Sequence, residues 1–301
     1  MKLGNDDMKM IERKVKNRGL GGAMPVLLNS VIALFLSTQL AIAQERDGWH
    51  LVWADEFSTD GLPDPTKWMN EVGFIRNKEL QYYTEKRSHN ARVEAGRLII
   101  EAHCEAFKNP KYKPESTQWY EAEKARFTSA SLTTKKSFEL LFGRVEVRAK
   151  LPRGRGVWPA IWMLGTNIDQ IGWPKCGEID ILEAVGFEPD KVFANVHWYS
   201  EADQKHLSSG GKLIGQAPSD DFHVYALEWK KDRMDFYYDE TLYHSFPLKK
   251  ADNQGGNAFL NPQYLLINLA IGGGWGGAKG VDETIFPQRY EIDYVRFYQA
   301  R

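Results

Sequence analysis

Short strand-like runs separated by turn-forming residues dominate the chain after about residue 50, and they constrain the fold more than any other feature. Apolar and charged residues alternate over 98–103 and 145–150, while 234–238 and 290–298 are rich in aromatic residues. Such runs favour β-strands, and Gly/Pro/Asp clusters such as 60–63 are typical of turns. Because no long helical periodicity follows, the sequence predicts an all-β sandwich or barrel of single-domain size.

The N-terminus differs from the rest of the chain. A basic stretch over residues 9–18 precedes an apolar run over 24–40, which ends in Ala41-Ile42-Ala43. This order predicts a secretory signal peptide over 1–43 and a folded domain over 44–301. A membrane anchor is the alternative, but polar residues such as Asn29 interrupt the run. We therefore expect a secreted protein, extracellular or periplasmic, with no membrane association after cleavage.

Charge and cysteine content exclude several classes of protein. The 39 Lys and Arg residues balance 40 Asp and Glu, whereas nucleic-acid binders usually carry a basic excess or a basic face. Two cysteines in 301 residues do not make a disulfide scaffold. A Cys104–Cys176 bridge and two free thiols both remain open, and the free thiols are favoured.

Three carboxylates lie close together in the segment Gly177-Glu178-Ile179-Asp180-Ile181-Leu182-Glu183. In a straight strand Glu178 and Asp180 share one face, and Glu183 points into the core beside the isoleucines. A buried unpaired carboxylate is costly. We therefore predict a β-bulge near Leu182, which shifts the register and brings Glu183 to the same face as the other two acids.

The predicted spacing of the two glutamates suits glycoside cleavage. Four strand steps separate their Cα atoms by about 13 Å, and inward-leaning side chains leave on the order of 5 Å between carboxyls, as in retaining glycosidases. Glu178 is then the nucleophile and Glu183 the general acid/base, with Asp180 between them. A solvated acidic strand face and a metal site are the alternatives. Nearby tryptophans, Trp158 and Trp173, favour a sugar because a flat aromatic face suits its apolar side.

The sequence resembles glycoside hydrolase family 16, and within it the laminarinase-like endo-β-1,3-glucanases. Seven segments carry the resemblance: 53–57, 79–84, 142–148, 158–165, 178–183, 222–229 and 293–298. The acidic segment has the family's spacing, Glu-x-Asp-x-x-Glu. The resemblance implies a β-jelly-roll sandwich of the concanavalin A-like type, with a concave face that carries the substrate cleft. It also implies retaining endo-hydrolysis with the roles given above.

The resemblance also implies residues that bind the sugar chain. They are Trp158 and Trp173 as platforms, Asn77 and Arg148 as hydrogen-bonding groups, and His197 as a neighbour of the acids. Each of the last three has a simpler interpretation: a turn former, a surface ion pair and a locally paired strand histidine. The chain departs from the family at Lys78, where a second asparagine is common.

A structural calcium ion away from the cleft is a further implication of the resemblance. The matching positions are Glu56 and Gly96, through backbone oxygen, and Asp293. Ligation by oxygen alone suits Ca²⁺, although Asp293 has local hydrogen bonding as its alternative role. We expect no cofactor for catalysis, a β-glucan polysaccharide as the substrate, no nucleic-acid partner, and a monomer.

The glycine-rich segment 272–277 formally matches the dinucleotide pattern G-x-G-x-x-G. No amphipathic helix follows and no βαβ unit surrounds it, so we interpret the match as chance. The segment is either a plain tight turn, which we favour, or a loop that lets a ligand approach the backbone with Trp275 at its tip.

The sequence therefore predicts a secreted retaining enzyme that cuts internal β-1,3-glucosidic bonds. Mixed-linkage β-1,3-1,4-glucan is the second substrate class, and agar or carrageenan fits less well because no basic cleft is evident. A non-catalytic β-glucan-binding protein on the same sandwich is the alternative outside enzymes. Both catalytic glutamates, Glu178 and Glu183, are present, which favours the enzyme.

Overall fold

The computed structural model describes residues 45–46, 48–215 and 217–301. The predicted signal peptide, 1–43, lies outside the described residues and stays a prediction. Within the part of the chain that is described, no helix is long and apolar enough to cross a membrane.

Strands make up most of the regular structure, and helices are short. In chain order the strands are β1 (Glu45–Arg46), β2 (Trp49–Asp55), β3 (Met69–Asn70), β4 (Gln81–Tyr83), β5 (Ala91–Glu94), β6 (Arg97–Lys108), β7 (Lys124–Ser129), β8 (Ser131–Thr133), β9 (Gly143–Lys150), β10 (Val157–Gly165), β11 (Glu178–Glu183), β12 (Lys191–Ser200), β13 (Lys205–Ile214), β14 (His223–Trp229), β15 (Arg233–Tyr238), β16 (Thr241–Pro247), β17 (Gln263–Ile271) and β18 (Gln288–Ala300). One α-helix, α1, spans Ile168–Ile171, and 3₁₀ turns lie at Trp119–Glu121, Leu248–Ala251, Ala258–Leu260 and Glu283–Ile285.

Two sheets pack face to face and form the predicted jelly-roll sandwich. The cleft sheet has seven strands in the order β13-β12-β11-β10-β17-β8-β3. The outer sheet has eleven strands, with β16-β15-β14-β9-β18-β6-β7-β4 as its main path and β2 paired to β18. All four runs predicted from the sequence are strands, namely β6, β9, β15 and β18.

The alternation of side chains along each strand places the core between the sheets. In β10, Ile161 and Met163 belong to the main apolar core, while Trp162 and Leu164 belong to a second apolar cluster on the opposite side. β17 alternates in the same way. Because both faces of these central strands are covered, they read as almost continuously apolar. The second cluster is the floor of a cleft on the far side of the cleft sheet.

The two cysteines are both free thiols. Cys104 is exposed and Cys176 is buried in the cluster beneath the cleft. Burial raises the pKa of the Cys176 thiol to about 11, so at neutral pH this side chain behaves as a small apolar group.

Candidate active site

Strand β11 carries a β-bulge at the predicted place. Leu182 pairs with Ile161 on β10, and Asp180 pairs with the next residue, Trp162, so Ile181 is the extra residue. The pairing of β11 with β12 shifts over the same stretch, between Asp180 and Glu183. One added residue changes which side of the sheet the rest of the strand faces.

The bulge separates acidic from apolar side chains completely. Ile179, Ile181 and Leu182 are fully buried in the core between the sheets, whereas the three acids Glu178, Asp180 and Glu183 line the cleft. The sequence-predicted acid cluster is therefore brought together on one surface. Without the bulge, Glu183 would face the apolar core, where an isolated carboxylate is strongly disfavoured.

Each of the two glutamates accepts a hydrogen bond from an indole group. Trp158 Nε1 donates to Glu183 Oε1 at 3.0 Å, and Trp173 Nε1 donates to Glu178 Oε2 at 2.9 Å. Trp173 is 49% exposed, so part of its ring can contact a ligand. Each predicted sugar platform thus also fixes the carboxylate that it flanks.

His197 lies beside the acids, as predicted, and continues into a second histidine that sequence reasoning missed. Its Nε2 lies 3.2 Å from Asp180 Oδ2 and 3.8 Å from Glu178 Oε1. Its Nδ1 lies 2.8 Å from His206 Nε2, and His206 in turn packs against Trp173. A hydrogen bond between two ring nitrogens uses one proton, which lies on either His197 Nδ1 or His206 Nε2. When His206 donates it, the proton of a neutral His197 lies on Nε2, the nitrogen that faces Asp180.

Crowding and burial raise the pKa values of all three acids. Burial, then the charge of Asp180, raises the pKa of Glu178 to about 8. Burial, then the charge of Glu178, raises the pKa of Glu183 to about 7. Asp180 is only 3% exposed, and burial together with the charge of Glu183 raises its pKa well above the usual range. The cluster therefore retains protons at neutral pH, as acid catalysis requires.

The same groups offer a possible metal site. Ligand atoms of Glu178, Asp180 and His197 lie within 4.8 Å of one another, the one such group of three found over the described residues. A cation there would neutralise the carboxylates whose raised pKa values suit proton transfer. The candidate metal group leaves out Glu183, which lines the cleft beside the other two acids, so the acid–base interpretation accounts for more of the site.

The cleft extends from the acids in two directions. One lobe, of about 490 Å³, runs over the apolar floor and contains Trp162 and Tyr264. The other, of about 650 Å³, contains Phe193 and Trp275. Trp158, Trp173 and the two glutamates line both lobes, so a long chain can lie across the acids.

The glycine-rich segment 272–277 is a loop at the edge of this cleft. No helix follows it; turns continue to residue 279, which agrees with the rejection of a dinucleotide site. Trp275 packs against Trp158 with ring centroids 5.7 Å apart. A Cβ added at Gly276 would lie 2.8 Å from Trp158 Cβ, so this glycine permits the contact. The favoured interpretation, a plain tight turn, is thus incomplete, because the loop also shapes the cleft.

Asn77 combines both roles considered for it. It has a positive φ of 56° in a turn, and it lines both lobes of the cleft. Its Nδ2 donates to Glu79 Oε1 at 3.2 Å. Glu79 is a buried carboxylate that also accepts from Gln81, and burial raises its pKa. This network ties the Asn77 turn to the sandwich.

Arg148 does not lie at the cleft, so its prediction as a substrate-binding residue is wrong. It belongs to β9 in the outer sheet, paired between β14 and β18. Val147 and Ala149 face the core, so Arg148 faces the opposite side. Its Nη1 donates to Asp293 Oδ2 at 2.6 Å. The surface ion pair, considered as the alternative, is what the structure shows.

Arg76 is the cleft arginine that sequence reasoning missed. It stacks over the Trp162 ring at 4.7 Å, and its Nη2 donates to Glu71. Its Nη1 is buried and has no hydrogen-bond partner within the described part of the chain. Position next to Asn77 was the one available signal, because an arginine in a loop carries no periodicity.

The predicted calcium positions converge through strand register. On β18, Ile292 pairs with Leu98 of β6, so Asp293 lies near the β5–β6 turn that contains Gly96. Further along β18, Val295 pairs with Asp55 of β2, so Asp293 also lies near the end of β2, next to Glu56. The Glu56 carboxylate bonds to Arg296 through both oxygens, which leaves its backbone oxygen as the predicted ligand. This oxygen-only set fits Ca²⁺, with the Arg148–Asp293 pair as a competing contact.

Comparison with known proteins places this architecture among characterised enzymes. Residues 81–296 match the sequence profile of glycosyl hydrolases family 16. A β-glucanase from Rhodothermus marinus is 42% identical over 259 residues, which are 83% of this chain and 85% of that protein. The laminarinase structure from Rhodothermus marinus aligns with a TM-score of 0.72 at 42% identity, covering 84% of this chain and 98% of that one. A structure described among endo-acting O-glycanases, with which members of the human gut microbiota initiate mucin breakdown, aligns with a TM-score of 0.78 at 41% identity over 86% and 93%.

Proposed function

The chain belongs to glycosyl hydrolase family 16 and is a glycoside hydrolase, and we propose that it cleaves internal β-1,3 bonds of laminarin-type β-glucan with retention of configuration. The observation that carries the proposal is the bulged strand β11. It presents Glu178 and Glu183 on one cleft wall, each held by its own indole donor.

In the first step the Glu178 carboxylate attacks the anomeric carbon and forms a glycosyl ester. The bond to the leaving oxygen breaks, and that oxygen takes the proton of Glu183. In the second step Glu183 accepts a proton from water, the water oxygen attacks the anomeric carbon, and the ester bond to Glu178 breaks. Two inversions at one carbon give net retention, and both acids return to their starting states.

The hydrogen-bond partners of the two glutamates favour these roles. Glu178 accepts from Trp173 and lies 3.8 Å from His197, and both neighbours stabilise its ionised form. In the substrate-free site the pKa of Glu178 is the higher of the two glutamates, so the assignment rests on strand position and donors rather than on pKa order.

The form of the cleft supports cutting within a chain. The two lobes extend from the acids in different directions, so sugar units fit on both sides of the cleaved bond. The cleft also contains two aromatic pairs, Trp158 edge-on to Trp275 and Trp173 tilted against His206, and exposed ring faces suit the apolar faces of glucose units.

The test is a reducing-sugar assay of the purified protein on laminarin, lichenan, agarose and carboxymethylcellulose. Laminarin turnover is expected, and the absence of turnover in the wild type contradicts the proposal. Proton NMR of the first products distinguishes retention, where the β-anomer appears first, from inversion. Covalent labelling by a 2-deoxy-2-fluoro laminarioligosaccharide, followed by peptide mapping, is expected to modify Glu178.

Mixed-linkage β-1,3-1,4-glucan is the second candidate substrate, and turnover of lichenan in excess of laminarin would reverse the order of the two. Mucin O-glycans belong in the same assay because a structure described among O-glycanases aligns with this chain at the TM-score given above. The alternative hypothesis, a non-catalytic glucan-binding protein, predicts that laminarin is bound but that no reducing ends are released.

Two further properties belong to the proposal. Secretion follows from the leader predicted over residues 1–43 and is tested by N-terminal sequencing of the exported protein, with cleavage expected after Ala43.

A calcium ion held by the backbone oxygens of Glu56 and Gly96 and by Asp293 would join β2, the β5–β6 turn and β18, and so stabilise the outer sheet rather than take part in the chemistry.

A further inference from the structure

Tyr243 connects the outer sheet to the strand that carries the acids. It lies on β16, at the edge of the outer sheet, and its hydroxyl donates to the backbone oxygen of Ile181 at 3.0 Å. Ile181 is the extra residue of the β11 bulge, and it has no register partner on either β10 or β12. The tyrosine thus contacts the one residue of β11 that the ladder leaves unpaired on both sides.

A second bulge directs Tyr243 toward this contact. Between β15 and β16, Phe236 pairs with His244 and Tyr237 pairs with Leu242, so Tyr243 is the extra residue of its own strand. Its neighbour Leu242 is exposed, while the Tyr243 ring packs on the main core. Bulges commonly re-aim a side chain near an active site, and here one bulge supports another across the sandwich.

The close approach of β16 to the cleft sheet depends on a glycine. A Cβ added at Gly211 on β13 would lie 2.8 Å from His244 Cβ and 2.9 Å from the backbone oxygen of Tyr243. Gly211 also lines the second lobe of the cleft. The missing side chain therefore lets β16 come near enough for the Tyr243 hydroxyl to reach β11.

The contact has a direct bearing on the position of the general acid. The bulge is what turns Glu183 to the cleft, and the backbone oxygen of Ile181 lies two residues before it. A buried carbonyl without a partner is strongly disfavoured, so the hydroxyl stabilises the bulged register relative to a regular one. The raised pKa of Tyr243, caused by burial and then by the charges of Asp180 and Glu183, agrees with a location beneath these acids.

We propose that Tyr243 is a positioning residue for catalysis, which holds the β11 bulge through Ile181 and thereby fixes Glu183 relative to Glu178. This inference rests on the proposed function, because it assigns Tyr243 to the placement of the general acid. Tyr243 itself touches neither the substrate nor the reacting atoms.

The test compares Tyr243→Phe with Tyr290→Phe. Tyr290 is also fully buried, and its hydroxyl has no hydrogen-bond partner among the described residues, so its removal controls for the loss of a buried hydroxyl. Each variant is assayed on laminarioligosaccharides and on a dinitrophenyl β-laminaribioside, whose leaving group departs without a proton. For Tyr243→Phe we expect kcat/KM on the oligosaccharides to fall by about 10- to 100-fold, the loss that a misplacement of about 1 Å can cause.

A displaced general acid affects the two substrates differently. The loss on the aryl glycoside is expected to be much smaller than on the oligosaccharides, and the alkaline limb of the pH profile of kcat/KM is expected to shift. Tyr290→Phe is expected to change neither the ratio of kcat/KM between the two substrates nor the pH profile of kcat/KM. Equal losses on both substrates, or unchanged kinetics in Tyr243→Phe, would overturn the inference. A wild type inactive on every glucan would instead refute the proposed function.

Gly211→Ala provides a second route if Tyr243→Phe does not fold. The added methyl group presses on the backbone of Tyr243 and displaces the hydroxyl while it leaves the tyrosine in place. The same preferential loss on oligosaccharides is expected. A folded Gly211→Ala variant that retains the wild-type ratio between the two substrates would contradict the positioning role.

Discussion

Strands β9 and β11 both alternate charged with apolar residues, but their charged side chains differ in whether they have partners of opposite sign. On β9, Arg144 bonds to Glu146 at 2.7 Å and Arg148 bonds to Asp293 at 2.6 Å, so both arginines have a negative neighbour. On β11 three carboxylates share one surface, and the basic side chain beside them is the imidazole of His197. Balanced charges stabilise a sheet face, whereas crowded like charges raise pKa values and create a reactive site.

The largest expected effect comes from removing one charge on each strand face. Glu178→Gln keeps the shape of the side chain but removes the nucleophile, and kcat on laminarin is expected to fall by at least about 1,000-fold. Glu228→Gln is the matched change on the outer sheet, where Glu228 accepts from Arg144 at 2.9 Å, and kcat is expected to stay within about twofold. A Glu178→Gln enzyme of wild-type activity would show that the acid cluster is structural.

The same pair of variants is expected to differ in the pH dependence of stability. The folded-state pKa of Glu178 is raised from 4.5 to about 8, so between these values the folded state binds more protons than the unfolded state, and stability falls as pH rises. Glu178→Gln removes this loss. Its free energy of unfolding is expected to exceed that of the wild type by up to about 4 kcal/mol at pH 8, with the gap closing toward pH 4.5.

Urea unfolding at a series of pH values measures this gap. Glu228→Gln, which loses ion pairs with Arg144 and Lys230, is expected to be less stable than the wild type and to show no widening gain with pH. If Glu178→Gln and the wild type keep a constant difference from pH 5 to pH 8, the crowding of the acids has no energetic cost.

Two arginine variants separate the cleft from the outer sheet. Arg76→Lys keeps the positive charge beside Glu71 but removes the planar group that stacks on Trp162, and kcat/KM on laminarin is expected to fall by about 10-fold, as for one lost cation–π contact in the cleft wall. Arg148→Lys, with its partner Asp293 on the outer sheet, is expected to leave kcat/KM within about twofold. Equal effects of the two changes would mean that the outer arginine also influences the substrate.

The smallest expected effect concerns calcium at the outer sheet. Chelation by EDTA is expected to lower the Tm of the wild type by a few degrees, because a ligand bound only to the folded state stabilises it. Asp293→Asn is expected to have a lower Tm and to lose the response to EDTA, while kcat is unchanged in both. A wild-type Tm that does not respond to either EDTA or added calcium would remove calcium from the proposal.

Local pattern was sufficient for much of the fold and for the reactive centre. Period-two alternation gave β6 and β9, and the cost of burying Glu183 in a straight strand predicted the bulge that the structure shows at Ile181. Flanking tryptophans indicated Trp158 and Trp173, which both bond to the acids. Each of these predictions concerns neighbours along one strand or contacts just beside it.

The errors and omissions concern contacts between different segments of the chain, whether near in sequence, as for His197 and His206, or far apart. Arg148 was assigned to the cleft, but its strand pairs within the outer sheet. Arg76 and His206 were missed because a loop arginine and an edge-strand histidine have no distinguishing period. Tyr243 reaches Ile181 over 62 positions of sequence, through a bulge on a strand that carries no chemistry of its own.

The sequence by itself determined which residues alternate, where the acidic strand must bulge, and that three carboxylates share one face. Only the tertiary structure decided which sheet each strand joins, and therefore whether an arginine such as Arg148 meets a sugar or an aspartate. The physical reason is that side-chain direction follows from the two-residue period of a strand. Partner choice depends instead on pairing and packing between segments far apart in the chain.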